Sequence, residues 1–438
     1  MVHKQSEWVE NLYERLAEDD EGRVCKDIPE EACHAAPNNF IYTLISNTFS
    51  NLADKLASAK TTLPWLLLQL GAPAWMISLL VPIRESGSML PQMLIGAWVR
   101  KQSIRKWVWV MGGTLQGICL MLMGFVALTL NGISSGVVII LLLILFSLAR
   151  GACSVAFKDV QGKTVPKTRR GRLSGWISAI SGLFALAVGL LLSQISQDAS
   201  IRLYTSLLLF AGLCWFAAAW WFSRIIEFPG ATDGGANGLA HAMTKLSLLK
   251  EDKPFRLFVI ARALAMGSGL AAPFYIALAR DDLGSAISLL GLFIAVEGLA
   301  GLLSSPIWGR WADRSSRQVF AIACSLAGCL SILIAIVSWL PIPAAALMPL
   351  YLIAFFGLGV AHSGIRLGRK TYLVDMASGN QRTDYVAVSN SVIGALLLLT
   401  GALSALTALM SIQVTLIILG MTGLFGALLS LRWVEVSA

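Results

Sequence analysis

The chain has 438 residues, of which 13% are charged and 56% hydrophobic, against about 25% charged in a soluble globular protein. With a mean hydropathy of +0.71 and apolar runs long enough to cross a hydrocarbon layer, the composition excludes a soluble enzyme, a nucleic-acid binder and a secreted scaffold. The net charge of +9 reads as a topology signal, because Lys and Arg of membrane proteins collect in cytoplasmic loops; nucleic acid is not an expected partner.

Residues 1–38 contain no apolar stretch, so no cleavable signal is expected, and they form an acidic cytoplasmic extension with ten acidic and four basic residues. Within it Trp8, Leu12 and Leu16 recur every four residues among Glu7, Glu10, Glu14 and Glu18, the pattern of a short amphipathic helix. A solvated extension without a task is the plainer expectation. The seven cysteines are odd in number and imply no disulfide framework. Cys25, Cys33 and His34 match no common zinc spacing, so no metal is expected.

Twelve apolar spans follow, near 40–70, 73–99, 107–130, 133–157, 173–193, 201–223, 255–279, 285–308, 319–340, 344–365, 385–408 and 411–433. The expected fold class is an all-α polytopic membrane protein, its twelve transmembrane helices arranged as two pseudo-symmetric six-helix bundles. Those bundles are residues 39–223 and 255–438, joined by a cytoplasmic linker, 224–254, whose Gly and Pro mark flexibility.

Charges near the centre of a bilayer cost about 2.5–3.5 kcal/mol each on insertion scales, so those that occur line a cavity or pair. Span 1 carries Asn47, Asn51, Asp54, Ser58 and Thr61 on one helix face. Lys55 lies about 100° round from Asp54. The alternative is a helix that starts later and leaves Asn47 to Asp54 outside the membrane. Span 2 has Arg84 and Glu85 at mid-depth, with Ser88 and Gln92 on the Arg84 face. Pro64, Pro73, Pro82 and Pro91 run through the first two spans, and Gly267, Gly269 and Pro273 interrupt span 7; such residues suit helices that bend. Arg150 lies in span 4 and Arg262 in span 7. Glu297 of span 8 stands 213 positions after Arg84, which predicts a pair across a central cavity, either gating or static. His362 and Arg366 approach the end of span 10, where Arg366 can snorkel to the surface.

The proton-coupling candidates are therefore Asp54, Glu85 and Glu297, with Asp54 foremost as the carboxylate on the polar face of span 1. The substrate-cavity candidates are Asn47, Asn51, Lys55, Ser58, Arg84, Gln92, Arg150 and Arg262.

Segments 100–106, 158–172, 224–254, 309–318 and 366–384 together hold 21 basic residues, whereas the alternate connections hold Arg202 and Arg280. Both termini are thus expected in the cytoplasm. Gly96 to Arg105, including Arg100, matches Gly309 to Arg317 at an offset of 213, the internal repetition usual in secondary transporters.

The loop Gly309-Arg310-Trp311-Ala312-Asp313-Arg314-Ser315-Ser316-Arg317, its counterpart at Gly96 to Arg105, and Pro166 to Gly175 before span 5 resemble loops of the major facilitator superfamily. The resemblance covers residues 40–433. It departs at Arg100, where the family usually has Asp, so another carboxylate is expected to stand in. It implies a cytoplasmic gate of Gly96, Arg100, Arg105, Gly309, Asp313, Arg314 and Arg317, whose charge-assisted bonds would clamp the ends of the two halves; a plain topology anchor is the other reading. Phe146-Ser-Leu-Ala-Arg150-Gly151 is similar to the helix 4 arginine motif of proton-driven exporters, but lacks the glutamine and glycine that follow there.

The function implied is secondary active transport of a small solute by alternating access, with protons as the coupling ion. Lys55, Arg84, Arg150 and Arg262 outnumber Asp54, Glu85 and Glu297, which favours an anionic or zwitterionic solute. A proton-driven multidrug or metabolite exporter and a transport-inactive sensor are the alternatives. No GxxxxGK[ST] loop occurs and no two of the four His have ligand spacing, so neither enzymatic activity nor a cofactor is expected. The expected partners are the substrate, protons and lipid, the functional unit a monomer, and the location a bacterial inner membrane.

Overall fold

The computed structural model describes residues 7–17, 30–90, 95, 98–99, 101–195, 200–230, 245–312, 314–376 and 381–436. All regular structure among them is helical. Before the linker lie α1 (Glu7–Ala17), α2 (Glu30–Leu56), α3 (Thr62–Gln69), α4 (Ala74–Met89), α5 (Lys106–Thr129), α6 (Gly132–Thr164), α7 (Lys167–Ser193) and α8 (Ile201–Ser223). After it come α9 (Leu248–Glu251), α10 (Lys253–Leu264), α11 (Gly267–Leu283), α12 (Ile287–Ala312), α13 (Ser316–Val337), α14 (Ala344–Met376), α15 (Gln381–Ala408) and α16 (Ile412–Ser430). Several starts are written in the sequence: Ser200, Asp252, Ser315 and Ser411 each accept a backbone N–H of the first turn, which satisfies one orphan donor there.

Ten helical segments among the described residues are long and apolar enough to cross a membrane. Spans 1 and 2 are not among them. Span 1 is split into α2 and α3 by a turn at residues 57–61, and its charged and amide side chains lower its hydropathy. Span 7 is split in the same way, into α10 and α11 at Ala265 and Met266, where Gly267 packs onto the Leu419 carbonyl. The extension also differs from expectation. Residues 30–38 belong to α2, and α1 is docked: Tyr13 is buried against Phe40, Ile41 and Leu44 of α2 and against Leu173 and Ile177 of α7. The Trp176 indole donates to the Leu16 carbonyl at 3.1 Å. Cys33 is disulfide-bonded, contrary to the sequence expectation, while Cys119, Cys153, Cys214, Cys324 and Cys329 are free.

The repeat seen in the loops runs through the helices. Helices α6 and α14 are both 33 residues long and outrun the expected spans at the basic-loop end. Gly71 and Gly284, 213 positions apart, both turn the chain with positive φ, 75° and 92°, a conformation glycine adopts without steric cost. Helices α5 and α8 meet at Gly117 and Gly212, as α13 and α16 meet at Gly328 and Gly420; small residues let membrane helices approach closely. On the outside, Met111, Ile118, Leu122 and Phe125 of α5 are exposed at helical spacing, the surface that hydrocarbon covers.

The two most extensive contacts between the helices that precede the linker and those that follow it are α7 on α12 and α4 on α15; α11 also meets α3 and α4. In the first, a Cβ on Gly291 would lie 2.5 Å from the Ser193 nitrogen, and one on Gly189 2.5 Å from the Ala295 nitrogen. In the second, the Ser86 hydroxyl donates to the Gly394 carbonyl at 2.8 Å. Gly291→Ala is therefore expected to destabilise by about 1–3 kcal/mol, the usual cost of overpacking. Gly175→Ala, where nothing lies within 4 Å of the added carbon, should not. Melting of the two variants in detergent checks this, and equal melting temperatures would show that α7 and α12 can separate freely.

Candidate functional site

Where α2, the turn that follows it and α4 face α10, α11, α12, α14 and α15, a cavity of about 340 Å³ opens between the two sets of helices. Its charged lining is Lys55, Lys60, Glu85, Arg262, Glu297, Arg366 and Arg369, with His362 beside them. The sequence reading singled out four of these, Lys55, Glu85, Arg262 and Glu297. It gave no role to Lys60 or His362, read Arg366 as a surface anchor and missed Arg369. The signal was present, since His362, Arg366 and Arg369 recur at helical spacing on α14.

Lys60 enters the cavity because the turn between α2 and α3 carries it there. The charges acting on it are Glu297, Glu85, Arg366 and Arg369. Glu297 in turn faces Lys60 and Lys55, and accepts a long hydrogen bond, 3.5 Å, from the Thr61 hydroxyl. Ser58 is buried and accepts the Lys60 backbone N–H at 3.2 Å, which shapes the turn rather than lining the cavity. His362 presents a buried Nδ1 without a hydrogen-bond partner.

Asp54 belongs to a neighbouring cluster. One carboxylate oxygen bonds Arg84 at 3.2 Å and the other bonds Arg150 at 2.8 Å. Arg84 also lies over the Phe146 ring at 5.0 Å and Arg150 over Trp215 at 5.4 Å, contacts that favour a cation on an aromatic face. The expected Arg84–Glu297 pair is not formed. Asp54 lies on the adjoining helix within reach of Arg84, whereas Glu297 is turned to the lysines of span 1. Asn47, Asn51 and Arg150 line a second recess of about 250 Å³ with Cys153 and Ser174. Gln92 lies outside the described residues.

At the basic-loop end two carboxylates meet the first-half loop. Glu227, just after α8, accepts the backbone N–H groups of Arg105 and Lys106 at 3.0 and 2.6 Å and the Lys163 ammonium at 2.9 Å. Asp159 of α6 pairs with Arg105 and, at 2.9 Å, with Lys163. The second half repeats the theme, Arg317 pairing with Glu435 at 3.2 Å while Ser315 donates to the same carboxylate at 2.8 Å. The Arg105 N–H and the Arg317 side chain thus tie each loop to the chain that follows the sixth helix of its own half. Arg314 is exposed and Gly309 faces open space. Gly96, Arg100 and Asp313 lie outside the described residues.

At the opposite end the two sets of helices are joined. Arg280 of α11 donates to the Gln69 side chain at the end of α3 at 2.7 Å, and Trp65 approaches Phe293 with ring centroids 6.5 Å apart. Tyr351 braces this end by donating to Asp282 at 2.5 Å.

The sequence profile of the Major Facilitator Superfamily matches residues 257–438. No curated protein matches the chain in sequence. Among solved structures, a point mutant of the nucleoside transporter NupG is 14% identical, with a TM-score of 0.67 over 90% of this chain and 99% of that one. The xylose transporter XylE from E. coli, in an inward open conformation, is 12% identical with a TM-score of 0.67 over 90% and 96%. A POT family transporter in complex with a thioalcohol-conjugated peptide is 12% identical with a TM-score of 0.68 over 93% and 98%. The chain resembles the major facilitator superfamily, in sequence over its second half and in fold over nine tenths of its length, and is an integral membrane protein.

Proposed function

Proceeding from that fold, we propose that the chain is a secondary active transporter that moves a small anionic or zwitterionic solute by alternating access, coupled to protons. The observation that carries this reading is the charged cavity between the helices before and after the linker, with basic residues in excess. Residues 39–223 and 255–438 act as the two rocking bundles, and 224–254 as their tether. By the loop charges the basic end is cytoplasmic, as are both termini, in a bacterial inner membrane. Arg366, at the basic-loop side of the cavity, is exposed, while the opposite end is held by Arg280 and Gln69, so the conformation is inward-facing. The solved relatives named above transport nucleosides and xylose, or bind a conjugated peptide, by their descriptions, which supports transport of a small polar solute without choosing one.

The test is uptake by the purified protein in liposomes, with and without an imposed pH gradient. Failure to move any small anion or zwitterion under either condition would leave a binding protein or sensor.

The end held by Arg280 should open when that bond is removed. Gln69→Leu leaves the Arg280 guanidinium without the partner it has there and is expected to raise the labelling rate of a cysteine placed at residue 65 from the outer side severalfold. An unchanged labelling rate would show that the bond is not part of the outer gate.

A further inference from the structure

Resting on the transport reading above, we infer that the solute is a compact dianion, carrying two negative charges on one phosphoryl-type group or on two neighbouring carboxylates, and that Arg262 grips it. Arg262 is 5% exposed and lines the cavity. Its Nη1 donates to the Ser389 hydroxyl at 2.6 Å and its Nη2 to the Asn390 side-chain oxygen at 3.0 Å, both neutral acceptors. Its Nε is buried without a partner, and the charge acting on it is another cation, Arg369. A guanidinium has five N–H donors, and a buried cation whose partners are neutral is costly to the protein that carries it. Among the described residues no carboxylate pairs with it. The counter-ion therefore comes from outside the chain.

The charge lining the cavity says how much counter-ion is needed. Arg366, the fifth cation of the lining, is exposed at its rim. Inside it, Lys55, Lys60, Arg262 and Arg369 face Glu85 and Glu297, an excess of two positive charges. A zwitterion leaves that excess untouched and a monoanion removes half of it, whereas a dianion cancels it. The break in span 7 adds to the same field, because Met266, Ser268 and Gly269, at the start of the 17-residue helix α11, lie on the cavity wall. The amino end of a helix carries partial positive charge, and broken helices present such ends to anionic substrates in transporters. A volume of about 340 Å³ is at the small end of ligand sites.

The test uses the full-length protein in detergent with four probes: succinate, inorganic phosphate, lactate and alanine. Succinate or phosphate is expected to raise the melting temperature at millimolar concentration, the responding one telling a carboxylate pair from a phosphoryl group, while lactate and alanine should not. Arg262→Gln should weaken that binding at least tenfold, yet leave the ligand-free protein as stable as the parent or more so, because it deletes an unneutralised buried charge. A merely structural Arg262 would instead destabilise the ligand-free form and spare binding, which would overturn the assignment. Equal responses to lactate or alanine, or no response to either dianion, would overturn it as well. Liposomes separate this from the transport reading: a dianion bound by Arg262 but never moved refutes transport alone, and accumulation of lactate or alanine in preference to the dianions refutes the dianion alone.

Discussion

Asp54→Asn is expected to be the most damaging single substitution in the membrane region. Both carboxylate oxygens are engaged, by Arg84 at 3.2 Å and Arg150 at 2.8 Å, with side chains between 16% and 27% exposed. Removing the shared negative charge leaves two part-buried cations facing each other, and breaking a buried pair from one side costs about 3–5 kcal/mol. Arg84→Gln alone should do less, since Arg150 still pairs with Asp54. Combined with Asp54→Asn it should recover part of the loss, because one of the stranded cations is gone. Melting in detergent reads the cycle. An Asp54→Asn protein that melts with the parent, or strictly additive losses in the double variant, would show that the triad is not a unit.

Glu297→Gln is expected to remove energetic coupling and spare movement. Asp54 was the foremost coupling residue on sequence grounds, but each of its oxygens is held by an arginine. Glu297 has no such lock: its hydrogen bond to Thr61 is 3.5 Å long, and the lysines it faces sit on the broken first span. A carboxylate across the cavity from a mobile cation can exchange that partner for a proton as the bundles rock. With one proton per solute, one pH unit sustains about tenfold accumulation. Glu297→Gln should reduce this to equilibration while exchange of labelled for unlabelled solute continues. Accumulation that still follows an imposed pH difference would pass the role to Glu85, which faces Lys60 and Arg369 from the other half.

The apolar character of the segments, the gathering of basic residues in alternate loops, the interruption at Gly267 and the offset of 213 were all readable from the chain. Each rests on a property that single residues or short windows carry: hydropathy, charge, turn chemistry or self-similarity. The polar face of span 1 was equally legible, because a 3.6-residue period fixes which side chains share a side. Partnership was not. Equal depth in two repeats suggested Arg84 for Glu297, yet the turn after Leu56 brought Lys60 to Glu297 and left Asp54 between two arginines. Nor could the chain say that Asp159 and Glu227 would serve the loop that lacks its usual Asp, since 121 positions separate Glu227 from the Lys106 N–H it accepts. The sequence by itself determined a helical membrane protein with two repeats and an excess of buried positive charge. The tertiary structure alone decided which charge meets which, because burial accrues residue by residue along the chain, whereas an ion pair depends on a few ångströms between helices whose crossing and breaks no local pattern encodes.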